Sequence, residues 1–361
     1  MRRPDHQQPR LFYSFCPESL IPEDHPLRAI KRMVDESLKA LDKRFARMYS
    51  AYGRPGIPPE RLLKGLLLQI LFTIRSERAL MEHIRFNLLY RWFVGLDLQD
   101  PVWDPSTFSK NRDRLIDADI ALEFLKQVLA KAGEEELLSS SHFSVDGTLL
   151  EAWASLKSFR PKDATPPSEA PPGGQGRNEE VDFHGEKRSN ATHASTTDPE
   201  AQLAKKRKGK EAKLSYTGHV LMENRNGLAV DVKVTQATGT CEREAAAEMI
   251  ADVPGDERIT VGADKAYDTK DFVKQCRANN AVPHVAQKKN SAIDARTTRH
   301  EGYAVSVRKR KRIEEIFGWL KTVGCLRKMR HRGLSRVRWV FTFGIVAFNL
   351  VRMRNLGVSA A

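Results

Sequence analysis

The sequence predicts two architectures in one chain: an all-helical domain over residues 1–135, then a mixed α+β/α/β domain over residues 136–361. Three features carry that expectation. Apolar residues keep helical spacing from His25 to about Ala132. At Ser141 the pattern turns strand-like, and strands then alternate with helices to the C-terminus. Between the first and second strands of this region, residues 158–212 read as a flexible insertion, Pro- and Gly-rich over Pro166–Glu180.

In the helical region a first helix is expected from His25 to Met48, with Leu27, Ile30, Met33, Val34, Leu38 and Leu41 on its apolar face. Tyr52-Gly53-Arg54-Pro55-Gly56 ends it, and Pro58-Pro59-Glu60 opens a second helix carrying Leu62, Leu63, Leu66, Leu67, Ile70 and Leu71. A third runs from Glu77 to Phe93. Asp104 to Thr107 caps a fourth over Phe108–Leu115, and a fifth spans Ala118–Ala132. Arg61, Lys64, Arg75, Arg78, Lys110, Arg112 and Arg114 make the outer faces positive. That suits a DNA-binding helical domain, and a solvated face on a dimerising bundle accounts for it equally well.

In the second region His142–Leu150 reads as a strand whose Asp146 sits among Phe143, Val145 and Leu149. A carboxylate there is costly unless it is paired or holds a metal; a turn Asp ahead of Gly147 is the plainer alternative. Leu214–Glu223 and Leu228–Gln236, joined by Asn224-Arg225-Asn226-Gly227, form a hairpin. A helix over Glu242–Ala251 leads to a strand, Arg258–Ala263, that ends on Asp264, at the carboxyl end where sites gather in open α/β sheets. Asp268 is expected to cap the helix Thr269–Ala278, and Val282–Ala286 is the last strand.

Ser306 to Gly333, read as one helix, brings Arg310, Glu314 and Lys321 to about 0°, 40° and 20° around the axis, hence to one face. Ile313, Ile316, Phe317 and Leu320 form the adjoining core stripe, and Glu315 falls about 100° away from that face. From Val305 to Arg338 there are twelve Lys or Arg against two Glu, so the lone acid on this face sits in a strongly positive field. An ordinary amphipathic basic helix with an internal ion pair is the competing reading. Val337–Met353 closes the chain as a buried helix.

Composition narrows the partners. A net charge of +14 and a pI near 9.6 favour a polyanion, most simply nucleic acid. No membrane role is expected, because the longest apolar run, Leu62–Ile74, contains Lys64 and Gln69 and is too short to span a bilayer. Four scattered cysteines with no CxxC pair argue for a reducing compartment and against a zinc or disulfide framework. With no apolar stretch behind the first ten residues, a cytoplasmic, nucleoid-associated location is expected. His193, Ser195 and Asp198 lack the nucleophile-elbow context that a hydrolase would need.

Three carboxylates on separate elements, Asp146, Asp264 and Glu314, could therefore converge on hard divalent cations beside a phosphodiester backbone. Here the chain resembles the insertion-sequence transposases of the DDE class, and most closely the insertion-sequence-five group. That group's signature places Tyr, Arg, Glu and Lys at fixed intervals. Arg310, Glu314 and Lys321 match it in spacing, as do the neighbouring Phe317-Gly318 and Leu320-Lys321, whereas Val307 stands at the Tyr position. Asp146 in SVDGT and Asp264 in ADKAYD resemble the first two acids, and GIPPERLLKGLLLQ and DPSTFSKNRDRL resemble the group's N-terminal domain.

The resemblance implies an RNase H-like five-stranded mixed sheet flanked by helices. It implies Asp146, Asp264 and Glu314 as catalytic ligands of two Mg²⁺ or Mn²⁺ ions, and Arg310 and Lys321 on phosphates. It further implies DNA contacts from Arg308, Lys328, Arg330 and Arg332. The partners it implies are double-stranded DNA, as terminal inverted repeats and as target, and a second copy of the chain. A non-catalytic DNA-binding regulator and a plain metal-dependent nuclease are the alternatives.

Overall fold

The computed structural model describes residues 17–49, 56–162, 188–206 and 209–358; Pro166–Glu180 lies outside them. The chain forms two compact units that meet in sequence between Arg114 and Leu115.

The first unit contains helices α1 (Pro17–Leu20), α2 (Pro26–Ala40), α3 (Asp42–Ala46), α4 (Pro59–Leu71), α5 (Glu77–Phe86) and α6 (Leu88–Val94), and most of α7 (Pro105–Asp117). Val34, Leu62, Leu63, Leu67, Leu80, Ile84 and Phe93 are fully buried, as the helical spacing requires. Two expected helices are each broken. His25–Met48 is interrupted at Leu41, and Glu77–Phe93 at Asn87. At Asn87 the cause is local: its extended backbone ends α5, and its side-chain oxygen accepts from Leu89 N at 2.9 Å to start α6.

In the second unit α8 (Ile120–Glu134) packs on the closing helix, and a sheet follows. Its strands are β1 (His142–Glu151), β4 (Gln202–Ala204), β5 (Lys213–Glu223), β6 (Ala229–Gln236), β7 (Ile259–Ala263) and β8 (Ala281–Val285); β2 (Phe159–Pro161) and β3 (His193–Ser195) pair separately. Strand β5 lies antiparallel to both β1 and β6, while β7 is parallel to β1 and β8 parallel to β7. The resulting order, β6-β5-β1-β7-β8, is the RNase H-like mixed sheet, with β1 central and β4 a short sixth strand on β5.

Helices α9 (Cys241–Ala251) and α10 (Lys270–Ala278) cover one face, burying Phe143, Val145, Val261 and Ala263 against Met249, Ile250, Phe272 and Cys276. After α11 (Ala295–Thr298) come α12 (Glu301–Lys309), α13 (Ile313–Thr322) and α14 (Leu334–Asn355). By length and composition α14 could cross a bilayer, yet most of its apolar side chains are buried in this unit. It lies close on β5 because Gly218 has no side chain: a Cβ there would come within 2.6 Å of the Phe341 ring. Asn349 pairs with both backbone groups of Ala229, at 3.0 and 2.8 Å, and so satisfies the edge of β6.

The stretch Ser306–Gly333 is not one helix. A tight 3₁₀ turn, Arg310–Arg312, separates α12 from α13 and falls inside the run of five cations Arg308–Arg312. The chain leaves helix after Thr322, at Gly324, where a Cβ would strike the Leu320 carbonyl at 2.7 Å.

The described C-terminal part of the insertion, residues 188–206, packs into the fold more than its composition suggests. His193, Ser195 and Asp198 are buried, and Asp198 accepts from the Tyr216 hydroxyl at 2.6 Å and from Gly333 N at 3.2 Å. Asp198 thereby ties this part of the chain to β5 and to the start of α14.

Candidate active site

Strands β1 and β7 are in parallel register from His142↔Thr260 to Ser144↔Gly262. The same offset, carried two residues on, sets Asp146 beside Asp264, at the carboxyl end of β7. The sequence therefore places both acids where the sheet brings neighbouring strands side by side. Asp146 accepts from Gly147 N at 2.8 Å and has Arg310 Nη1 3.8 Å from its other oxygen. Asp264 caps the short turn after β7, its Oδ1 accepting from Ala266 N at 2.7 Å.

Burial pushes the Asp146 carboxyl up to about 7, and the negative charges of Asp264 and Glu242 push the same way; the Gly147 amide and Arg310 only partly oppose them. A carboxyl facing a second carboxylate in a half-dry cleft is short of positive charge.

Glu242, at the start of α9, is a neighbour the sequence reading did not single out. Burial raises its carboxyl, and Asp264 raises it further. It approaches β1 because residue 147 is glycine: a Cβ there would lie 3.0 Å from Glu242 Cγ, 3.1 Å from its Oε1 and 3.2 Å from His219 Nδ1. His219, fully buried with Nε2 2.8 Å from the Thr235 hydroxyl, is pushed down to about 4 by burial and so stays neutral. The hydroxyl of Tyr267, also missed, is buried without a hydrogen-bond partner among the described residues, close enough to feel the charges of Asp146, Glu242 and Asp264. An acid at a helix start ordinarily reads as a favourable dipole contact, which is why Glu242 carried no signal.

The other expected site residues are distributed as follows. Glu314 and Glu315 are both exposed in the first turn of α13. Between Arg310 and Glu314 the 3₁₀ turn Arg310–Arg312 interrupts the α-helix, so the regular 100° spacing does not run unbroken from one to the other. Lys321 reaches β1 and donates to the Thr148 hydroxyl, two residues beyond Asp146. Burial lowers its ammonium, and the neighbouring Lys206 and Arg327 add to that. Arg308, Lys328, Arg330 and Arg332 are exposed.

Asp268 does not cap α10. That role falls to Thr269, whose hydroxyl accepts from Phe272 N, while Asp268 accepts from Lys288 N and Ala292 N, both at 2.8 Å, and pins the loop after β8. Glu151 pairs with Lys213 at 3.1 Å and Lys328 at 3.7 Å.

Among the described residues no three acid, imidazole or thiol side chains stand together as a ready metal-binding group. The Asp146–Asp264 pair nevertheless fits a hard divalent cation, because both are oxygen donors and Arg310 only partly offsets the charge of the buried one.

Two family models match the chain: a transposase domain (DUF772) over residues 15–114 and a transposase DDE domain over residues 190–350. The second includes Asp264, Glu314 and Lys321 and begins after Asp146. No curated protein sequence matches. Among solved structures, the piggyBac transposase synaptic complex with hairpin DNA is similar at 9% identity over 92% of this chain and 76% of that one, with a TM-score of 0.43. The Mos1 transposase paired-end complex with left transposon end is similar at 10% identity over 80% of this chain and 87% of that one, with a TM-score of 0.20. At such scores neither likeness bears on the chemistry. With a transposase domain at one end and a transposase DDE domain over most of its sheet and closing helices, the chain belongs to the DDE transposases of insertion sequences.

Proposed function

We propose that the protein binds the terminal inverted repeats of its own element, hydrolyses a phosphodiester to free a 3′-hydroxyl, and joins that hydroxyl to target DNA. The observation that carries this reading is the Asp146–Asp264 pair on adjoining strands, with Arg310 3.8 Å from Asp146 and a large excess of positive charge around it. Asp146, Asp264 and Glu314 would hold two Mg²⁺ or Mn²⁺ ions, which supply charge stabilisation at the attacking and leaving oxygens of an in-line displacement. Glu314, exposed in the first turn of α13, would have to turn its side chain toward the pair.

Arg310, already facing Asp146, would hold a non-bridging phosphate oxygen, and its two parallel N–H groups would fix the phosphate's orientation. The helical first unit would contact the inverted repeat, and a second copy would supply the other end. Incubation with an end-containing duplex and Mg²⁺ tests this: nicked ends followed by joined products are expected. Nicks that never lead to joining would make the protein a plain nuclease. Binding without cleavage in Mg²⁺ and in Mn²⁺ would make it a regulator.

Lys321 is assigned to a phosphate next to the cut. It is half-buried and bonded to Thr148 rather than paired with Glu314, so Lys321→Ala should cost about 1 kcal/mol of stability through the lost hydrogen bond. The same variant should cleave more slowly, and the slope of log affinity against log salt should fall by roughly one phosphate contact. An unchanged slope with the stability loss alone would make Lys321 a purely structural residue.

A further inference from the structure

Beyond Thr148, β1 runs out to Glu151, and the chain then exposes Trp153 and Leu156, 47% and 37% accessible respectively. The segment after α13 is laid alongside this strand end. Met329 N donates to Glu151 O at 2.7 Å, Glu151 N donates to Arg327 O at 3.4 Å, and Lys328 bridges to Glu151 in parallel register. Met329 is fully buried and anchors the segment, so Arg327, Lys328 and Arg330 are held facing solvent rather than hanging on a free loop. Lys328 Nζ sits 5.5 Å from the centre of the Trp153 ring. A groove of about 530 Å³ runs past the indole, lined by Trp153, Leu156, Lys213, Lys328 and Arg332 together with Glu151 and Glu211. Glu151 is ion-paired to both lysines and Glu211 lies near Lys213, so three cations face two acids here.

An exposed indole beside Leu156 and Leu214, with Lys328 over the ring and Arg332 in the same groove, has the parts of a nucleobase platform: the ring stacks on a base and the cations take the flanking phosphates. Bases inside a duplex are stacked on both faces, so a single indole has a partner only where a base is unpaired. Trp153 lies two residues past the end of β1, whose last residue, Glu151, is five residues or roughly 17 Å beyond Asp146 at strand spacing, about five stacked nucleotide steps. A strand opened near the cut could reach it.

We propose that Trp153 is a stacking site for an unpaired nucleobase of the DNA strand being processed, with Lys328 and Arg332 on the adjoining phosphates. The inference rests on the DNA-processing reading above and adds to it a single-stranded ligand and a residue outside the acid pair.

The test measures the binding of a dye-labelled single-stranded oligonucleotide and of a blunt duplex, by anisotropy at one salt concentration, to the full chain and to Trp153→Ala and Trp153→Phe. Quenching of a 2-aminopurine placed in the single strand is followed in parallel. Expected results are a loss of about 10-fold or more in single-strand affinity for the alanine variant, most of it restored by phenylalanine, with duplex affinity changed by less than about threefold. The 2-aminopurine should be quenched by the wild type and not by Trp153→Ala. Unchanged single-strand affinity, an equal loss on both DNAs, or a phenylalanine variant no better than alanine overturns the proposal. If the alanine variant does not fold, absence of quenching by the wild type overturns it. A wild type that binds neither DNA sinks the DNA reading itself, whereas one that binds both with Trp153→Ala unaffected sinks only the stacking site.

Discussion

Asp146→Asn and Asp264→Asn should each reduce Mg²⁺-dependent cleavage by about 10³-fold or more while leaving binding of end-containing DNA within about threefold of wild type. The two changes remove a charged oxygen and keep the side-chain volume. Neither residue supplies an apolar contact to the core around Val145, Val261 and Ala263, so the sheet should persist. Arg310 and the exposed cations that would hold DNA are also untouched. The third acid is where the comparison becomes sharp. Glu314→Gln should be as damaging as the two Asp substitutions and Glu315→Gln nearly silent, although both residues are exposed in the first turn of α13. If Glu315→Gln is the damaging change, the 3₁₀ turn has altered which acid faces the pair. If both are silent while Glu242→Gln abolishes cleavage, the third carboxylate comes from α9 on the other side of β1. Nicking rates and end-binding affinities, measured for all five variants on one substrate, separate these outcomes.

The parts of this site legible in the sequence are those set by short-range pattern. Asp146 stood out because an acid lies among Phe143, Val145 and Leu149, and Asp264 because the expected strand Arg258–Ala263 ends on it; the parallel register of β1 and β7 then makes them neighbours. The hairpin between β5 and β6 was equally legible, because Gly227 sits at φ +78°, in the left-handed region that the Asn-Gly turn signal implies. What the pattern could not carry was the tertiary part. A regular helix over Ser306–Gly333 was extrapolated through five adjacent cations, and a 3₁₀ turn of three residues interrupts it at Arg310–Arg312. Glu242 and His219 enter the site only because Gly147 leaves room for them, and space of that kind lies across the sheet, far away in sequence. The insertion misled for a related reason. His193, Ser195 and Asp198 look solvent-bound in a polar stretch, but Tyr216 and Gly333, 18 and 135 residues from Asp198, both donate to its Oδ1 inside the fold.

Asp146→Asn should also stabilise the metal-free protein, and by an amount that depends on pH. The Asp146 carboxyl is carried from its ordinary 3.8 to about 7 in the folded chain, chiefly by burial and then by the nearby Asp264 charge. A group whose folded value is raised contributes its full stability below the unfolded value and loses it as pH climbs through the folded one. The wild type should therefore weaken between pH about 4 and about 7, by up to about 4 kcal/mol once Asp146 is ionised. Asparagine keeps the shape without the charge, so the variant escapes that loss. In the presence of a chelator the two proteins should melt together near pH 4. At pH 8 the variant should melt higher, by on the order of 10 °C for a unit of this size. Glu242→Gln, which removes one of the charges pressing on Asp146, should shift the wild-type pH dependence to lower pH. Millimolar Mg²⁺ should raise the wild type toward the variant and leave the variant where it was, because only an intact carboxylate pair gains from the cation. Calorimetric scans of both proteins across pH, with chelator and with Mg²⁺, read all of these at once without any DNA or turnover. A melting difference that is the same at pH 4 and pH 8 would mean that Asp146 is solvated and ordinary in the folded chain, and the charge-deficient cleft would no longer support a metal at this pair.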